Sequence, residues 1–163
     1  MSKQLLLFIG LGVAIVAAIL FVTVEGNKGQ RIRLDGKILK VRTVALDEGH
    51  TLVIVDFRVT NPSDFPFVFR DANIVVEDAK GATPEVIPVA KRDMERVFEF
   101  QKLAGPKFND MVAIKDQVKS HATVDRMVGA SVALPETEVE ARKSLKLRFV
   151  EMDGKESELL EKK

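Results

Sequence analysis

The stretch from Leu5 to Val24, LLLFIGLGVAIVAAILFVTV, constrains this chain more than any other. It holds no charge and no amide, and Thr23 is its only hydroxyl. A run of about 20 residues at about 1.5 Å per helical residue reaches roughly 30 Å, the thickness of a bilayer's hydrocarbon core. The expectation is a single N-terminal transmembrane helix followed by one β-rich domain. Residues 1–24 read as head and anchor, 25–31 as a juxtamembrane linker, 32–160 as the domain and 161–163 as a tail.

The run is longer than the roughly 7–15 apolar residues of a cleavable secretory leader. Its end, Phe21-Val22-Thr23-Val24-Glu25, lacks small residues spaced for cleavage, and Ala17 and Ala18 lie deep inside it. The segment therefore reads as a retained signal anchor. Counting Lys and Arg near its two ends favours a cytoplasmic domain. The short head with Lys3 and no acid, followed by a large folded domain, is the usual layout of an exported one. The expectation is an N-terminus inside and a C-terminal domain on the periplasmic or extracellular face.

Only here does composition matter. With 163 residues, 46% apolar and 30% charged, the chain beyond the anchor suffices for one domain with a core. The absence of cysteine removes disulfides, thiolate metal sites, cysteine nucleophiles and a lipidated cysteine. Tyr and Trp are absent too, unusual for a module that stacks sugars or bases. The net charge of +1 hides a basic run, Lys28, Arg31, Arg33, Lys37, Lys40 and Arg42, opposed only by Glu25 and Asp35. Lys28, Arg31, Arg33 and Lys37 are candidates for contact with anionic lipid headgroups. The alternative is a solvated strand face carrying alternate charges. The domain itself is not basic, which argues against nucleic acid.

Beyond the linker, Ile32 to Leu46 shows partial alternation, with Asp35-Gly36 a candidate bulge or tight turn. Thr51 to Thr60 is the clearest strand: Val53, Val55, Phe57 and Val59 point one way, Asp56, Arg58 and Thr60 the other. Asn61-Pro62-Ser63-Asp64 reads as a turn. Phe65, Phe67 and Phe69 then alternate on one face, leading into Ala72, Ile74 and Val76, and Asp78 to Gly81 closes that strand. Between Ile87 and Asp110 the period changes. Met94, Val97, Phe98 and Gln101 share a helical face after a possible Asp93 cap, and Gly105-Pro106 stops the segment. Phe100, Leu103 and Phe108 lie off that face. Such residues most often pack beneath a neighbouring loop; the functional alternative is an exposed apolar patch that meets a partner or the membrane. Strands resume at Val124–Leu134 and Leu145–Met152, and Asp153-Gly154 predicts a two-residue hairpin returning Glu156–Leu160. Six or seven short strands joined by Pro/Gly turns predict a mainly β fold, an immunoglobulin-like β-sandwich with one short helical insert.

The passage from Val53 to Gly81, VIVDFRVTNPSDFPFVFRDANIVVEDAKG, resembles the water-stress and hypersensitive-response domain of late-embryogenesis-abundant proteins. It is also similar to bacterial membrane-anchored immunoglobulin-like domains of unassigned function. The shared features are the strand ending in Asn61-Pro62, Pro66 shortly after, and a following strand closed by Gly81. The resemblance implies a β-sandwich tied to stress protection or without assigned role, and no enzyme.

The residues themselves offer little chemistry. His50 with Asp47 and Glu48 could touch a metal, but so short a loop aims three ligands at one ion with difficulty. His121 and Asp125 share a strand face but lie about 13 Å apart at strand rise. No serine lies in a G-x-S-x-G context and there is no glycine-rich phosphate loop. The expectation is no catalytic residue, no cofactor and no metal. Three functions follow in order: a tethered, non-enzymatic module that binds or scaffolds a protein partner in the envelope through Phe100, Leu103 and Phe108; a stress-protection or structural protein; and a hydrolase built on scattered carboxylates.

Overall fold

The computed structural model describes residues 12, 13, 15–17, 33–100 and 102–162. The chain divides into two compact units, Met1–Arg31 and Ile32–Lys163. In the first, the described residues are helical, and Val13, Ile15 and Val16 are each more than half exposed. The rest of the expected anchor, the linker, Lys28 and Arg31 lie outside the described residues. Among those described, no helix is long and apolar enough to cross a membrane.

The second unit is a sandwich of two antiparallel four-stranded sheets. Its strands are β1 (Asp35–Ala45), β2 (Thr51–Thr60), β3 (Phe67–Glu77), β4 (Val86–Pro88), β5 (Gln117–Val118), β6 (Thr123–Val132), β7 (Ser144–Glu151) and β8 (Glu156–Leu160). One sheet runs β1-β2-β6-β4 and the other β5-β3-β7-β8. Two helices interrupt them, α1 (Lys91–Phe100) and the single turn α2 (Glu136–Glu140).

Alternation builds the core. Val53, Val55, Phe57 and Val59 of β2 meet Phe67, Phe69, Ile74 and Val76 of β3 and Leu145, Leu147 and Phe149 of β7, all buried. Phe149 sits at the centre, its ring 5.0 Å from that of Phe57 and 5.6 Å from that of Phe69. Odd-numbered phenylalanines and even-numbered aliphatics of β3 face the same way because the strand bulges between Phe69 and Asp71. The extra residue, Arg70, shifts the phase by one. Phe65, expected to join the phenylalanine face, precedes the strand and is exposed.

Three local expectations need correction. Asp35-Gly36 is neither turn nor bulge but lies inside β1, which runs unbroken alongside β2 and bulges instead at Leu39. Gly36 is required there for space: a Cβ on it would stand 2.1 Å from the carbonyl oxygen of Arg58 on β2. The β7–β8 connection is a three-residue loop, Met152 to Gly154, not a two-residue turn. Glu151 N donates to Lys155 O at 2.8 Å and Gly154 N to Glu151 O at 2.9 Å. Gly154, at φ +90°, supplies the left-handed residue such a loop needs. The helix begins two residues before Asp93: Ala90 O accepts the amides of Asp93 and Met94, so Asp93 lies in the first turn. There its carboxylate opposes the positive end of the helix dipole.

Asn61 ties the sheets together after β2. Its fully buried side chain donates to Phe65 O at 2.7 Å and to Val118 O of β5 at 3.0 Å. Its Oδ1 accepts Ser63 N at 3.0 Å and Ser63 Oγ at 2.8 Å. Asn61→Ala strips four bonds from the turn that this buried side chain organises and is expected to cost about 2–4 kcal/mol, on the scale of about 1 kcal/mol per net hydrogen bond plus desolvation of the orphaned partners. Urea unfolding with an unchanged slope and a lowered midpoint checks it.

Candidate functional site

The segment from Val89 to Ala113 folds over the outer face of the β1-β2-β6-β4 sheet and gives that sheet a second core. Met94, Val97 and Phe98, at helical spacing, pack on Val44, Leu52, Ile54 and Met127, joined by Ala104 and Met111. Gly129 of β6 makes room for Met94: a Cβ there would lie 1.8 Å from the Met94 methyl. β2 is consequently buried on both faces from Thr51 to Phe57.

A polar cluster lies at the edge of this second core. Asp56, expected to face solvent, is buried beneath the insert. Its Oδ2 accepts Arg42 Nη2 at 2.8 Å and its Oδ1 accepts Asn109 Nδ2 at 2.9 Å. Arg42 also donates through Nη1 to Ala104 O at 2.7 Å and Pro106 O at 3.0 Å. Its guanidinium lies 5.4 Å from the Phe98 ring and 5.1 Å from the Phe108 ring. One side chain of β1 thus clamps the loop after α1 by two carbonyls and the Phe108 ring and meets the Phe98 ring on α1, while its Nε has no partner among the described residues. Sequence reading missed Arg42, Asp56 and Asn109. The available sign was Leu52 and Ile54, apolar residues on the same strand face as Asp56, which a solvent-facing strand does not need.

The three apolar residues set apart from the helical face do not pack beneath a loop. Phe100 and Leu103 are 79% and 83% exposed, and Phe108 is 54% exposed although one face of its ring meets Arg42. Lys40 Nζ stands 4.8 Å from the Phe108 ring. Arg33, two residues before β1, and Lys37 within it are exposed.

The polar clusters considered from the sequence separate. His50 Nδ1 lies 3.0 Å from Asp47 Oδ1, an oxygen that also accepts Gly49 N, in a local turn. His121 pairs with Asp64 at 3.0 Å, not with Asp125, which binds Arg58 at 2.6 Å and 2.7 Å. No group of three or more potential metal ligands converges among the described residues. A cleft of about 460 Å³ opens beside the β3 bulge, lined by Phe69, Arg70, Val89, Lys91, Met111 and Ile114 among others. The carboxyl displaced toward neutrality, Glu151, does not line it.

Burial raises the pKa of Glu151 above the usual carboxylate range, and the neighbouring Asp153 adds to this against the pull of Lys155. Its Oε2 is buried without a hydrogen-bond partner. A carboxyl whose folded pKa is raised stabilises the fold when protonated. That contribution is complete below the unfolded pKa and is lost as pH rises through the folded value. Glu151→Gln is therefore expected to raise the melting temperature at pH 7, with the gain vanishing as the pH falls below about 4. Melting curves across that range check the sign.

No family model matches the chain, and no curated protein matches it. One solved structure, titled "Structure of Iho670 Flagellar-like Filament", aligns over 98% of this chain and 98% of its own at 10% identity, with a TM-score of 0.31.

Proposed function

We propose that this protein is a single-pass, membrane-anchored sandwich of immunoglobulin-like type that serves as a non-enzymatic binding or scaffolding module of the cell envelope. In this reading Leu5 to Val24 spans the membrane with the N-terminus inside, and the domain is exported. The observation that carries the binding role is the exposure of Phe100 and Leu103. Met94, Val97 and Phe98 already complete the insert's own packing, so Phe100 and Leu103 add nothing to it. Large apolar side chains held outward at the end of a helix and on the clamped loop that follows it are what a recognition surface requires.

The test places a benzophenone amino acid at Leu103 of the full chain in intact cells, with the exposed Met152 of the β7–β8 loop as control. An adduct at position 103 that disappears in Phe100→Ser, with unchanged melting temperature, supports the module. Loss of stability in Phe100→Ser would instead make that residue part of the packing. For topology, a single cysteine at Met152 in this cysteine-free chain should react with an impermeant maleimide before the inner membrane is breached. Reaction only after lysis puts the domain in the cytoplasm.

A further inference from the structure

We propose that the face formed by Phe100, Leu103 and Phe108 docks on an anionic lipid surface; the inference rests on the binding-module reading and names the partner of that same patch. The first ground is what surrounds the apolar side chains. Lys102 precedes Leu103, Lys40 lies over Phe108, and Lys37 shares the outward face of β1 with Lys40, since they pair with Arg58 and Asp56 on the outward side of β2. Among the described residues, none of Lys37, Lys40 and Lys102 forms an ion pair, whereas the nearby Lys107 and Arg58 are bound to Asp110 and Asp125. Lysine is depleted from the centres of protein–protein interfaces, because desolvating an ammonium there is costly. At a bilayer surface the same arrangement is favourable: Phe and Leu enter the acyl boundary while ammonium groups stay among phosphates.

The second ground is that the patch is anchored from below. Arg42 holds the carbonyls of Ala104 and Pro106 and stacks on Phe108, so the apolar residues that follow α1 are presented on a fixed loop. Ordering it on contact therefore costs little.

The experiment uses the full chain in lipid nanodiscs, with Leu103→Cys carrying an environment-sensitive nitrobenzoxadiazole label. In phosphatidylcholine discs containing phosphatidylglycerol the emission should shift to the blue, and reduction by dithionite should slow at least about fivefold relative to pure phosphatidylcholine, as expected where lysines meet anionic headgroups. Lys37→Glu with Lys40→Glu should abolish that difference, and a label at Met152→Cys should show none. Equal protection in both lipids overturns the proposal, since headgroup charge then plays no part. Equal access in both lipids, with a protein adduct from a benzophenone at position 103 in native membranes, overturns it in favour of a protein occupant and leaves the binding module standing. Equal access with no adduct removes both readings.

Discussion

Asp56→Ala should lower the stability of the domain by about 3–5 kcal/mol, the range for removing one partner of a buried ion pair. The loss exceeds that of an ordinary surface pair because Arg42 is left charged beneath the insert and Asn109 loses its acceptor. The damage should also be local. Amides from Ala104 to Asp110 should exchange hydrogen faster, while those of β7 keep the protection set by global unfolding. Arg42→Met combined with Asp56→Leu should recover most of the stability, since a buried pair replaced by apolar residues of similar volume is often neutral. About 1–2 kcal/mol should remain missing, because Ala104 O and Pro106 O lose their donor. A double mutant no better than the single would mean that the cluster acts through packing, not charge.

Gly36→Ala should cost about 3 kcal/mol or more, comparable with a forced backbone shift in a packed core. The added carbon meets Arg58 O at 2.1 Å and the Val59 Cα at 3.0 Å, and neither atom can move without parting β1 from β2. For a domain of this size that corresponds to a melting temperature lower by roughly 10 °C. Gly129→Ala is the informative comparison. Its added carbon comes closer, at 1.8 Å, but to the Met94 methyl, the end of a flexible side chain. The methionine can swing aside, so the smaller loss should fall at Gly129 despite the shorter distance.

These two sites show where the sequence was legible and where it was not. β2 declared itself because Val53, Val55, Phe57 and Val59 alternate, and inward alternation is the whole requirement of a sandwich core. The insert helix was legible because Met94, Val97 and Phe98 repeat at helical spacing. Gly36 looked like a turn because Asp-Gly usually marks one. Its actual constraint is the distance to another strand, which local sequence does not contain. Asp56 looked solvated for a related reason: an outward strand position is wet only if nothing folds over it, and the covering segment lies more than thirty residues later. For Phe100, Leu103 and Phe108 the sequence favoured packing beneath a neighbouring loop, and all three are exposed instead: Phe100 ends α1, and Leu103 and Phe108 lie on the segment that Arg42 clamps.

The double burial of β2 bears on how the chain avoids mispairing. A strand with one apolar face is fixed against its neighbours because sliding by one residue turns that face to water. In Thr51 to Phe57 both faces are covered, and Leu52 and Ile54 would replace Val53 and Val55 between the sheets at little hydrophobic cost. Asp56 removes that tolerance. A one-residue slip would carry its carboxylate toward the Phe149 ring and leave Arg42 and Asn109 without it. Conversion of Asp56 to an apolar residue, even where compensation at Arg42 restores the equilibrium stability, should therefore add a slow refolding phase from chains paired one residue out of step.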